Sequence, residues 1–137
     1  MGKTIAKRLS VYKTKPFARF GRKALITDAE LWKAARLAND GLIDADLGGG
    51  VIKQRIARSR EGKSGGSRSI ILFKKGDRAV YVYGFEKKDK SNIGYSDLIG
   101  FRALAEDVLY CPESVIAHRV ASGSLIPVRP TEGGEDA

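Results

Sequence analysis

The spacing of apolar residues divides the chain into a helical first third, an alternating middle and a helical last third. At the start, Leu9, Val11 and Tyr12 form a short β-branched and aromatic run that predicts a strand over Arg8–Thr14. Pro16 stops it and opens a short helix, because its missing N–H costs nothing at a helix start. Phe17 and Phe20 share one face of that helix. Thr27-Asp28-Ala29-Glu30 is a capping box, with Thr27 as N-cap. The helix it opens runs to about Asn39, lines Leu31, Ala34, Ala35 and Ala38 along a stripe with Trp32 at its flank, and is ended by Gly41.

Residues 42–47 read as a turn-rich approach, and Gly48-Gly49-Gly50 as a loose link. The period then falls to two. A strand over Val51–Arg58 puts Ile52 and Ile56 on one face, with Lys53 and Arg55 on the other. A Gly/Ser loop, GKSGGS, leads into a strand over Arg68–Lys74, and Lys75–Arg78 makes a tight hairpin connection. Ala79–Lys87 is the clearest strand, with Tyr81, Tyr83, Phe85 and Lys87 on one face and Val80 and Val82 on the other. Three successive strands joined by turns make an antiparallel meander. Ser96 is the expected N-cap of a helix to about Tyr110, with a stripe of Leu98, Phe101, Leu104, Ala105, Val108 and Leu109. Pro112 begins a last short helix through Val120, ended by Gly123, and an acidic tail follows over 130–137. A single domain over 1–129 accounts for the 137 residues.

Charge changes the picture. The chain carries 25 Lys and Arg against 16 Asp and Glu, a net of +9. Residues 1–90 hold 22 of the bases and 9 of the acids, whereas residues 91–137 hold 3 and 7. The tract KQRIARSREGKSGGSR, residues 53–68, concentrates six bases (Lys53, Arg55, Arg58, Arg60, Lys63, Arg68) around one acid, Glu61. Such a run cannot be core, since burying unpaired charge is too costly. Between two strands, it suits a polyanion such as a nucleic-acid backbone. One cysteine, Cys111, excludes an internal disulfide, and with one histidine, His118, argues against a zinc site. No segment has the apolar length of a membrane span, and the cationic start lacks a signal peptide's apolar core, so a cytoplasmic protein is expected. The GKS at residues 62–64 is not a Walker motif, because Ala57 stands where glycine is required and the loop joins two strands.

The tract DADLGGGVIKQRIARSREGKSGGSRSII, followed after a hairpin by VYVYGFEKKDKSNI, resembles the RelE/HigB superfamily of bacterial toxins, nearest to its subgroup with a GKSGG-type loop and a YGFEK-type last strand. VYKTKPFARF near the start is similar to that subgroup's opening. The resemblance implies a small α+β fold, with N-terminal helices and a C-terminal helix against one face of a twisted, mainly antiparallel sheet of about four strands. It implies a ribosome-dependent endonuclease that cleaves mRNA, with a cognate antitoxin and the mRNA-bearing ribosome as partners. No small-molecule cofactor or metal is expected. Ser67 stands where the subgroup is expected to carry an aromatic.

In this chemistry the ribose 2′-OH attacks the adjacent phosphorus, while protein groups move protons and stabilise charge on the phosphoryl oxygens. Arginine suits the last task through its two-pronged fork. A lysine crowded by other cations can serve as acid or base near neutrality. The resemblance implies that the sheet's open face carries the site: Arg68 on the scissile phosphate, Lys87 as proton donor or charge stabiliser, and Lys53 and Arg55 completing the cluster. Arg58, Arg60, Lys63, Tyr83 and Lys88 are the expected RNA contacts. Open alternatives stand beside these: Tyr81 and Tyr83 either stack bases or pack as core, and Lys63 either meets RNA or is a loop charge. His118 reads as structural or surface, and Glu86 as a surface counter-charge. The acidic last third either covers the sheet or forms the antitoxin interface. The competing functions are a ParE-like inhibitor of DNA gyrase and a non-catalytic RNA-binding or interaction module.

Overall fold

The computed structural model describes residues 8–57, 66–87 and 93–130. Among these, ten elements follow in the order β1 (Ser10–Thr14), α1 (Lys15–Ala24), α2 (Asp28–Asn39), β2 (Ala45–Gly48), β3 (Val51–Ile56), β4 (Ser67–Lys74), β5 (Arg78–Glu86), α3 (Tyr95–Val108), α4 (Glu113–Ser122) and β6 (Leu125–Pro127). The strands form one sheet of six, ordered β2-β3-β4-β5-β1-β6. The expected meander is its centre, β3-β4-β5, paired antiparallel throughout. The expected sheet of about four strands is extended at both edges. β2 begins in the stretch read as a turn-rich approach and ends at Gly48, and β6 was not foreseen. β1 pairs parallel to β5 and antiparallel to β6, so the sheet is mixed.

The helices lie on both faces, not one. α1 and α2 cover a first core of Val11, Phe17, Leu31, Ala35, Ile52, Ile56, Ile71 and Tyr81. α3 and α4 cover a second, of Val51, Ile70, Leu72, Val80, Val82, Ala105, Val108 and Ile116. The physical reason is the run Ile70-Ile71-Leu72, all 0% exposed: neighbouring residues on a strand point to opposite faces, so each face needs a cover.

Local chemistry sets the helix ends. Thr14 caps α1, its hydroxyl accepting from the Phe17 N–H at 3.4 Å. The Thr27–Glu30 capping box of α2 is complete, with bonds of 3.1 and 2.9 Å. α3 starts two residues earlier than expected: Gly94, not Ser96, is its N-cap, and its N–H donates to Asp97 at 3.4 Å. Gly48-Gly49-Gly50 is not a loose link. All three have positive φ, and Arg102 of α3 packs over Gly48 and Gly49, donating from Nε to the Gly48 carbonyl at 3.4 Å and from Nη2 to that of Leu47. A Cβ on Gly49 would sit 2.8 Å from the Arg102 stem.

Phe17 and Phe20 do share a face, with ring centroids 5.7 Å apart, and they pack on β5 where it has no side chain. A Cβ on Gly84 would lie 2.3 Å from the Phe20 ring and 3.0 Å from that of Phe17. Gly84→Ala is therefore expected to destabilise by about 1–3 kcal/mol through overpacking. Urea unfolding checks this, and Phe20→Leu in the same chain is expected to recover part of the loss.

Candidate active site

Strand alternation and register assemble the site. Arg55 of β3 lies directly opposite Arg68 of β4, and Arg68 directly opposite Phe85 of β5. Two pairs along, Lys53 faces Ile70, and Ile70 faces Tyr83. These residues share the face of the second core, where α3 and α4 cover Val51, Ile70, Leu72, Val80 and Val82 and Phe101 of α3 reaches as far as Tyr83. What remains open is a cationic half on β3 and β4 beside an aromatic half on β5. Lys53, Arg55, Arg68 and Phe85 are half-buried, and Tyr83 is 40% exposed.

Two arginines have a buried side-chain nitrogen without a hydrogen-bond partner among the described residues, Arg78 at Nε and Arg68 at Nη1, and only Arg68 lies on the open corner. A buried donor left unmade costs on the order of 1–3 kcal/mol, more for a charged group. Arg55, directly opposite, is a like charge, and such cross-strand pairs are themselves unfavourable. Gly66 permits this packing: at φ +107°, a Cβ there would meet the Ile56 carbonyl at 2.9 Å, with the Arg55 guanidinium only 3.6 Å away. One glycine of the GKSGGS loop thus serves a close approach that no larger residue allows.

Lys87 follows directly on the Ser67–Glu86 pair, next to the arginine row, and is exposed. Arg58, Arg60, Lys63 and Lys88, the other expected RNA contacts, lie outside the described residues. Tyr81 must be corrected. A bulge places Ile70 opposite Tyr83 but Ile71 opposite Tyr81, which breaks the alternation and turns the two tyrosines to opposite faces. Tyr81 is fully buried against Phe17, its hydroxyl donates to the Leu31 carbonyl at 2.7 Å, and burial pushes its pKa up. It is core and cannot stack a base. Lys87 lies just beyond the end of β5, so its shared face with Phe85 is not set by pairing.

Ser67 is 0% exposed, and its hydroxyl donates to Glu86 at 3.3 Å on the face opposite Arg68. Its departure from an aromatic therefore leaves the open face unchanged. Glu86 is half-buried and is that hydroxyl's acceptor, more than a surface counter-charge. His118 is exposed on α4, as expected. The site also includes a residue that the sequence reading placed only in a helix stripe. Phe101 of α3 packs against Tyr83 with ring centroids 6.3 Å apart. The visible signal was its position at the edge of that stripe, flanked by Leu98 and Leu104. Leu104 itself is exposed.

Fold and site together define a small α+β protein whose mixed sheet is covered on both faces except for one cationic and aromatic corner. Comparison with known families gives the next step. The family model described as RelE toxin of RelE / RelB toxin-antitoxin system matches residues 9–128, and the chain belongs to that family. It is a toxin-family protein, and the family implies an antitoxin partner. No curated protein matches the chain. Among the described residues, no helix is long and apolar enough to cross a membrane.

Proposed function

We propose that this protein is a ribosome-dependent mRNA endonuclease, the toxin of a toxin–antitoxin pair, within the subgroup marked by the GKSGG loop and YGFEK strand. The observation that carries the reading is the row Arg55–Arg68–Phe85, with a buried guanidinium nitrogen at its centre that has no partner among the described residues. In the proposed reaction Arg68 donates to the non-bridging oxygens of the scissile phosphate and stabilises the charge that builds there when the 2′-OH attacks phosphorus. The bond to the 5′-oxygen breaks, leaving a 2′,3′-cyclic phosphate and a 5′-OH. The 2′-OH proton passes to solvent, Lys87 supplies a proton or a compensating charge at the leaving oxygen, and Lys53 and Arg55 hold the adjoining backbone. The excess of base over acid in residues 1–90 supports docking on ribosomal RNA, where a cationic field speeds encounter.

Primer extension on mRNA from cells briefly expressing the chain tests the reading, with Lys87→Ala alongside. The expected result is cuts within translated codons, weakened by roughly 10²-fold or more in the variant. Growth arrest with intact mRNA would overturn it in favour of gyrase inhibition. Neither arrest nor cleavage from folded protein would leave a non-catalytic module.

A further inference from the structure

We infer that Phe101 of α3 is a positioning residue, which holds Tyr83 as the platform for a nucleobase next to the scissile phosphate; this rests on the nuclease reading above. Tyr83 is the middle of three rings. Phe85 lies 5.9 Å away with planes tilted 36°, and Phe101 6.3 Å away with planes tilted 40°. Tyr83 is still 40% exposed, so its two neighbours leave part of it open. Both gaps are shorter than the roughly 7–8 Å that a base in van der Waals contact with two rings requires. A base therefore stacks on the open surface of Tyr83 and does not slide between rings.

The spacing to the cations fits a nucleotide. Tyr83 lies two residues along β5 from Phe85, the partner of Arg68, a separation of roughly 6.5 Å. One nucleotide bridges that distance between its phosphate and its base. α3 is also held firmly enough to act as a support. Next to Phe101, Arg102 donates to the carbonyls of Leu47 and Gly48, and its stem lies over Gly49. The ring beside Tyr83 is thereby anchored to the far edge of the sheet.

The test is cleavage of a defined mRNA on purified ribosomes by wild type, Phe101→Leu, Tyr83→Leu and the double variant, reading kcat, KM and the positions cut, with a thermal melt for each. Leucine keeps apolar packing and removes the ring. Phe101→Leu is expected to lower kcat by about threefold to tenfold, with KM little changed. The double variant should cut no more slowly than Tyr83→Leu alone, and Phe101→Tyr should cut at the wild-type rate. If Phe101→Leu melts early, Phe101→Met takes its place. Wild-type rate and positions in the folded ring-less variant, or a loss that multiplies with that of Tyr83→Leu, would overturn the role of Phe101 alone. A wild-type protein that cuts nothing would remove the nuclease reading, and this inference with it.

Discussion

Arg68→Met is expected to cost cleavage roughly 10²–10³-fold while leaving the fold as stable as wild type or more so. The two halves of this expectation share one cause. In the free protein the Arg68 guanidinium has a buried N–H with no acceptor among the described residues, which is a standing cost of folding. In the proposed reaction its use comes only when a phosphate arrives. Methionine fills similar space with no charge to desolvate, so thermal stability should hold or rise by up to about 1 kcal/mol. Arg68→Lys should fall between wild type and Met, since a point charge replaces the fork but cannot donate two parallel bonds to one phosphate. Rates on mRNA-loaded ribosomes and a thermal melt check both halves. A variant that loses activity only because it unfolds would contradict this role.

The largest stability loss is expected at a different arginine. The expected hairpin joins β4 to β5, but Arg78, read as part of its turn, opens β5 and is 4% exposed. Its Nη1 donates to the Val108 carbonyl at 2.9 Å, at the end of α3, and its Nη2 pairs with Glu113 at 3.1 Å, at the start of α4. Burial tends to lower the guanidinium pKa, but the hydrogen bond and charge of Glu113, with a smaller contribution from Cys111, more than offset that and raise it. Arg78 thus ties two helices to the sheet. Arg78→Ala removes a buried donor, strands the Val108 carbonyl and opens a cavity, for about 2–4 kcal/mol. Glu113→Ala should cost under about 1 kcal/mol, because its side chain is 64% exposed and water replaces what is lost around it. Urea midpoints of the two variants distinguish this asymmetry from an ordinary surface pair, in which both would be small.

That contrast shows what the sequence reveals and what it hides. The two N-terminal helices were legible because Pro16 suits the start of the first, and Thr27 and Glu30 of the second act on backbone groups three residues away; the Thr14 cap was not read. The cationic row was legible because alternation alone puts Lys53 and Arg55 on one face. The bulge opposite Ile70 and Ile71 was not, since nothing local in VYVYGFEK marks it, and it moved Tyr81 from the site into the core. The parallel pairing of β1 with β5 joins residues more than sixty positions apart, beyond any local pattern. Helices on both faces had a signal in the unbroken apolar run of β4, which the reading of one open face overlooked. Arg78 had none, for an arginine after Gly76-Asp77 looks like any solvated turn residue.

The central claim is that Arg68 stabilises a phosphate attacked by its own 2′-OH. The most direct measurement is the chemistry of the ends. Purified protein is mixed with ribosomes carrying a labelled mRNA, and the fragments are analysed for their termini. The account predicts 5′-OH on one fragment and 2′,3′-cyclic phosphate, or the 3′-phosphate formed by its hydrolysis, on the other, both absent with Arg68→Met. Intact mRNA, or fragments ending in 3′-OH and 5′-phosphate, would contradict it.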